Sequence, residues 1–279
     1  MSVIKAKHTQ PSETAGSPFG AKVEYSATFV GLSAAFASRT DSIGDSKSNI
    51  NRGYNLKMDS VITQRKEQWN PYVDNGGTIL AASFENSAIV VGDSRTSFGF
   101  SIATRNFPKF TKLTDKAVII TSGQQSEIVT LHRILKVNIA SYQFKHRKIP
   151  SLNAIHRMVV VILYQKRFFP FYAFNILAGI DGEGKGAIYS YDAIGSAEKL
   201  KYTTAGSGGA FALPILDAQL EQYHRANKQK PTTRAEVIDI MKDCIASVAE
   251  RDIYTGDNAD IIIIDASGVS ISSMPLRND

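Results

Sequence analysis

Few side chains in this 279-residue chain have the type and spacing that chemistry requires. His8, His132, His146, His156 and His224 are scattered and match no metal-ligand spacing. Cys244 is the single cysteine, which excludes an internal disulfide and a cysteine zinc cluster and fits a reducing compartment. It falls on the apolar stripe of a predicted helix and reads as a buried small hydrophobe. Lys145, His146, Arg147 and Lys148 read as a solvated loop. Asp181-Gly-Glu-Gly-Lys-Gly186 invites a phosphate-loop or a calcium-loop reading. A strand follows it where a phosphate loop would open a helix, and Lys185 puts a cation where a calcium loop needs a ligand. It reads as a hairpin turn, and the sequence predicts neither a metal site nor a cofactor.

Four short segments remain. Gly76-Gly77-Thr78-Ile79-Leu80 opens an apolar run, and Gly92-Asp93-Ser94-Arg95 ends the next. Thr204-Ala205-Gly206-Ser207-Gly208-Gly209 leads into a predicted helix, and Glu250-Arg251-Asp252-Ile253-Tyr254-Thr255-Gly256-Asp257 closes another. Each alone is an ordinary turn.

The elements that must position these segments follow from periodicity. Residues 78–83, 88–91, 117–121, 174–180, 187–191 and 261–264 are short β-branched or apolar runs, the pattern of strands buried on both faces. Ser267-Gly268 joins residues 260–265 to 269–273 as a hairpin. Ile128, Leu131, Leu135, Ile139 and Tyr142 recur at helical spacing. A second stripe follows Pro150, with Ser151 as its N-cap. A third runs from Val237 to Val248, with Thr233 and Glu236 as a capping box. A fourth helix begins near Gly209, with Pro214 in its first turns. Strands, two helices, strands, two helices, strands is the order of a sandwich with sheets inside and helices outside.

Taken together, in this order and spacing, the four segments resemble the proteasome β-subunit family of N-terminal nucleophile hydrolases. The resemblance implies an α+β fold, the four-layer αββα sandwich. In active members the first strand begins with a threonine freed by self-cleavage. Its hydroxyl attacks the peptide carbonyl with its own α-amine as base. A lysine lies beside the hydroxyl, an aspartate orients the lysine, and a serine and an aspartate with a following Ser/Thr complete the site. Carried over, these are Asp93, Lys109, Ser207, Asp252 and Thr255. Aligned on Thr78-Ile79-Leu80, the nucleophile position falls on Gly76, which has no hydroxyl.

Longer stretches narrow the resemblance to a non-catalytic member: Gln68-Trp-Asn-Pro-Tyr-Val-Asp-Asn-Gly-Gly-Thr78, Tyr164-Gln-Lys-Arg-Phe-Phe-Pro170, Asn175-Ile-Leu-Ala-Gly-Ile-Asp181 and Gly184-Lys-Gly-Ala-Ile-Tyr-Ser-Tyr-Asp192. The likeness covers residues 68–279. It implies a structural β subunit of the 20S core particle in ubiquitin-dependent protein degradation, in cytoplasm and nucleus. The implied partners are other β subunits of its ring, α-ring subunits, β subunits of the opposing ring, and polypeptide substrates in the chamber. The polar residues Gln124, Gln125 and Glu127 are the predicted wall of a neighbouring active subunit's pocket. An active threonine peptidase using Thr78 is the alternative. A basic binding module is a third reading.

Composition bears on these readings. Lys and Arg number 32 against 26 acids, a net +6 with pI about 9.2, and from residue 68 on they are dispersed. That is no nucleic-acid stripe. Mean hydropathy is −0.13 and no apolar run could span a bilayer, so neither nucleic acid nor membrane is an expected partner. Residues 1–67 hold 22 Ser, Thr, Gly or Pro residues with no sustained periodicity. They read as a pro-segment or tail, removed before Gln68. A targeting segment or an ordered extension are the other readings, and five acids between Glu13 and Asp59 weaken a mitochondrial presequence.

Overall fold

A computed structural model describes residues 70–279; the expected pro-segment and its cleavage before Gln68 lie outside them. The described residues form two antiparallel five-stranded sheets and four α-helices. The first sheet contains β1 (Thr78–Phe84), β2 (Ser87–Asp93), β10 (Tyr202–Gly206), β11 (Asn258–Asp265) and β12 (Gly268–Pro275), in the order β10-β1-β2-β11-β12. The second contains β5 (Phe110–Thr114), β6 (Ala117–Gly123), β7 (Ala173–Ile180), β8 (Gly186–Tyr191) and β9 (Ala197–Leu200), in sequence order. A small hairpin, β3 (Thr96–Phe98) and β4 (Ser101–Thr104), stands apart. The helices are α1 (Gln125–His146), α2 (Leu152–Gln165), α3 (Gly209–Leu216) and α4 (Arg234–Ala249).

Side-chain alternation along the strands sorts the apolar residues into three cores. Ile79, Val90, Ile120, Ile176 and Ile262 meet between the two sheets. Leu80, Val91, Met241, Cys244 and Ile245 fill the space under α3 and α4. Leu131, Leu135, Ile155, Val159 and Leu177 do the same under α1 and α2. The strands therefore carry nearly unbroken apolar runs because each central strand is covered on both faces. Burial pushes the Cys244 thiol up to about 12, which keeps it protonated and inert at neutral pH.

The predicted strands, helices and hairpin are all present. The hairpin of β11 and β12 closes with Asp265 opposite Gly268. Ser151 caps α2 by accepting from the Ala154 N–H at 3.3 Å. Thr233 caps α4 by accepting from the Glu236 N–H, while the Glu236 carboxylate reaches the Thr232 N–H, one residue earlier than a capping box requires. Asp181 closes its hairpin turn by accepting from the N–H groups of Glu183 and Lys185, both at 3.0 Å. The strands β5, β9 and β10 lie at sheet edges; these half-exposed strands of mixed polarity carry no apolar run and escaped the periodicity reading.

Candidate functional site

The four chemistry-bearing segments converge where β1 begins. Asp93 ends β2 and stands beside it, with 1% of its surface exposed. Lys109 comes from the turn before β5 and is 3% exposed. Its ammonium lies 3.0 Å from the Asp93 carboxylate and donates to the carbonyls of Asp93 at 2.9 Å and Arg95 at 2.6 Å. All three ammonium protons thus have acceptors. The Asp93 carboxylate also accepts the Thr78 N–H at 2.7 Å and the Arg95 N–H at 3.1 Å. Burial pushes the Asp93 carboxyl upward, and the Lys109 charge with the Thr78 N–H opposes that shift.

A second group of contacts lies across β1. Ser207 donates to Asp252 at 2.6 Å and accepts the Gly77 N–H at 3.1 Å. Thr255 donates to the same Asp252 oxygen at 2.6 Å. The Thr78 and Thr255 hydroxyls are 2.7 Å apart, and the Gly208 N–H donates to Thr78 Oγ1 at 2.9 Å. β10 can approach this closely because it ends at Gly206, with φ +93; a Cβ there would meet the Gly77 carbonyl oxygen at 2.0 Å.

The structure therefore brings Asp93, Lys109, Ser207, Asp252 and Thr255 together, and it corrects the residue they surround. A Cβ at Gly76 would point at Tyr254, 2.5 Å from its Cβ. A Cβ at Gly77 would meet Lys109 Cε at 2.2 Å, Lys109 Nζ at 2.5 Å and Asp93 Oδ1 at 2.9 Å. The residue facing the lysine is Gly77, not Gly76: the two glycines have φ +67 and +91, and on that backbone a Cβ points to Tyr254 at Gly76 and to Lys109 at Gly77. Thr78 is fully buried, and its hydroxyl is held by Thr255 and Gly208, away from Lys109.

Two neighbouring features went unread in the sequence. Ser122 at the end of β6 donates to the carbonyls of Gly76 at 3.1 Å and Gly77 at 3.0 Å, fixing the glycine pair. Buried Arg95 makes an ion pair at 2.8 Å with Asp257, which also meets Arg105. The acid at the end of the Glu250–Asp257 stretch was the available clue to that pair. The cavity beside the site, about 320 Å³, is lined by Asp252 and Tyr254 but not by Lys109. Among the described residues, no three His, Cys, Asp or Glu side chains are grouped to hold a metal, and no helix is long and apolar enough to cross a membrane.

Gln124, Gln125 and Glu127 lie at the start of α1, each half-buried. Gln124 accepts the Val73 N–H at 3.2 Å and donates to Ser126 at 3.0 Å. Glu127 stands in the first helical turn, where a carboxylate complements the helix dipole.

Comparisons with known proteins give the family. The family described as "Proteasome subunit" matches residues 73–264. Proteasome subunit beta type-1 of Petunia hybrida is 41% identical over 223 residues, covering 78% of this chain and 100% of that protein. Its namesake from Dictyostelium discoideum is 40% identical over 80% of this chain and 99% of that protein. The Danio rerio protein of the same name is 40% identical over 77% of this chain and 91% of its own length. With a family match over most of its length and relatives covered almost end to end, the chain belongs to the proteasome subunit family.

Proposed function

We propose that this chain is a non-catalytic structural β subunit of the 20S core particle, at the sixth position of the β ring, in ubiquitin-dependent protein degradation. It closes the ring beside other β subunits, the α ring and the opposing β ring, in cytoplasm and nucleus. Its sheets and flanking helix pairs are read as the four-layer αββα sandwich of N-terminal nucleophile hydrolases. Gln124, Gln125 and Glu127 form part of a neighbouring active subunit's pocket wall, facing polypeptide substrates in the chamber. No cofactor enters this reading.

One observation carries the non-catalytic reading: the position facing Lys109 and Asp93 is Gly77. A lysine that lowers the cost of a developing alkoxide needs a hydroxyl beside it. Here the cation meets the Asp93 carboxylate and two carbonyls, and the position it faces carries no hydroxyl. The groups that would orient and activate a nucleophile surround a residue with no side chain. Thr78 offers no substitute, because its hydroxyl lies on the other side of the strand.

A glycine cannot attack the peptide bond before it, so residues 1–67 are removed by another subunit, leaving a chain that starts at or near Gln68. Native mass spectrometry of the purified assembly, with N-terminal sequencing of this chain, tests both points. The expected result is a chain found only within a hetero-oligomer, beginning near Gln68 and unlabelled by electrophiles that acylate N-terminal threonine. A chain beginning at Thr78 and labelled there would overturn the proposal.

A further inference from the structure

Residues 73–75 run between two rims beside the Lys109 cluster. One rim is Ser97 in β3, two residues from Arg95, whose carbonyl holds Lys109. The other is the end of β6 and the start of α1, where Gly123 follows the Ser122 that holds the Gly76 and Gly77 carbonyls. Asn75 meets both rims. Toward β3, its carbonyl accepts the Ser97 N–H at 3.0 Å and its side-chain amide donates to the Ser97 carbonyl at 2.9 Å. Toward α1, its N–H donates to the Gly123 carbonyl at 3.4 Å, and its Oδ1 accepts the Gln125 N–H at 2.8 Å. That N–H is one of the amides at a helix start without an intrahelical acceptor, so Asn75 caps α1 from outside the helix.

Neighbouring residues fasten the same strap. The Val73 N–H donates to Gln124 Oε1 at 3.2 Å. Asp74 accepts the Gly76 N–H at 2.9 Å and the Tyr172 hydroxyl at 3.4 Å. Tyr72 donates to the Pro170 carbonyl at 2.6 Å and stacks on Phe169 with ring centres 5.5 Å apart. A chain cut just ahead of Gly77 would lose this strap.

Each rim offers one backbone N–H and one backbone C=O. Facing groups of this kind are what an extended polypeptide pairs with when it adds to a strand edge. Here Asn75 already holds all four, and its side chain supplies the two bonds that its backbone does not. We propose that residues 73–75 fill, in cis, a cleft of this chain that is shaped to hold an extended polypeptide. The site beside Lys109 is then closed to substrate as well as lacking a hydroxyl. This occupancy rests on the reading above that the chain keeps the residues ahead of Gly77. A segment tethered at Gly77 competes with free peptides as an intramolecular ligand, at an effective concentration of about millimolar or more, so short peptides in the surroundings do not displace it.

The test uses assembled core particles and a tripeptide amide that carries a photoreactive benzophenone and no electrophile, so that it reports binding and not acylation. In the wild-type particle this chain should take up no label, and amide exchange over residues 96–98 and 123–126 should be slow. Tyr72→Ala with Asn75→Ala removes the contacts to Pro170 and Phe169 and both Asn75 side-chain bonds. Exchange should then speed up in both segments, and labelling at the rims should rise about 10-fold, the net worth of one or two hydrogen bonds. Asn75→Asp keeps the oxygen that caps α1 but sets a carboxylate against the Ser97 carbonyl. It should loosen residues 96–98 alone and raise labelling about threefold, and it decides the question should the double variant fail to assemble. Three results would overturn the proposal: a wild-type chain labelled at the rims as strongly as the variants, faster exchange with no gain in label, or exchange that does not change. The intact mass of this chain separates the two readings. A chain that begins at Thr78 has no strap and removes the non-catalytic reading together with the occupancy. A chain that begins near Gln68 and gives any of the three results removes the occupancy alone.

Discussion

The cluster around Lys109 and the junction of residues 72–75 with α1 share β6 as their common support, and they treat polar groups in opposite ways. Around Lys109 every charge is buried and already has its partners within the chain: Asp93, two carbonyls and the Thr78 N–H. At the start of α1 the polar side chains are half-buried, and the bonds they make serve to orient them. The division is drawn at two adjacent residues. Ser122 turns toward the glycine pair, and Thr121 turns the other way, toward His132 on α1. The Lys109 cluster is a closed structural knot, while the surface beside it carries half-buried polar groups able to meet something outside the chain. A retained catalytic residue pattern is therefore a weaker guide to chemistry than the accessibility of its members.

The comparison breaks most sharply if the knot can be loosened without harm. Lys109→Ala leaves a buried carboxylate without its cation, a change worth about 3–5 kcal/mol of stability. Thermal unfolding and assembly yield should both fall, yet surviving particles should keep every peptidase activity. A selective loss of one activity by about 100-fold, or 2.7 kcal/mol, in fully assembled particles would return Lys109 to catalysis.

The next effect belongs to the boundary itself. His132 lies on the buried face of α1, and burial, with Lys136 one turn on, lowers its pKa to about 4. Thr121 donates to Asn175 at 2.7 Å, so its hydroxyl oxygen must accept from His132 Nε2–H, 2.8 Å away. The neutral ring is the folded form. Its ordinary pKa is about 6.5, so below that pH the unfolded chain takes up a proton that the folded chain refuses. The stabilisation is complete above pH 6.5 and declines toward pH 4, by about 3 kcal/mol in all. His132→Gln should flatten that part of the stability–pH curve in denaturant titrations between pH 4 and 7. An unchanged slope would mean that other groups dominate acid unfolding.

Much of this was readable in the sequence, and the misses have physical causes. Central strands such as β2 and β6 are legible because burial on both faces demands unbroken apolar runs. Edge strands such as β9, with the sequence Ala-Glu-Lys-Leu, satisfy no such demand. Asp93, Lys109, Ser207, Asp252 and Thr255 were named through the family resemblance that the four short segments carry. The facing glycine was misplaced by one because alignment on Thr78-Ile79-Leu80 fixes the strand but not which of two adjacent glycines faces the lysine. The Asn75 cap was illegible, since a bond to a residue 50 positions away leaves no local pattern.

Restoring the missing side chain sharpens the contrast. Gly77→Thr should not revive the knot. Gly77 has φ +91, where a β-branched residue is strained by about 1–3 kcal/mol. The new Cβ would also have to displace Lys109 Cε, now 2.2 Å from its place, from a side chain fully engaged with Asp93 and two carbonyls. The expected result is a less stable chain whose mass shows no cleavage between residues 76 and 77. Self-cleavage there would mean that the knot opens easily enough to act.

The smallest expected effect is on the open side of the comparison. Glu127→Lys reverses a charge in the first turn of α1, where the helix dipole favours a carboxylate, at a cost of about 0.3–1 kcal/mol to this chain. The effect on the neighbouring site is a one-sided contact across a half-exposed surface, so it should be about 1 kcal/mol, roughly fivefold in KM for the affected substrates. It should fall unevenly. Substrates with a basic side chain facing this wall should lose apparent affinity and acidic ones should gain it, with turnover nearly constant, because the contact is made equally before and during the chemical step. Raising the salt concentration should shrink the difference, since the charges are partly solvated. A substrate panel on mutant core particles at two ionic strengths reads all of this. If the ranking of substrates survives both Glu127→Lys and substitution of Gln124 and Gln125, the helix start faces no pocket, and its polar residues serve only the attachment to residues 73–75.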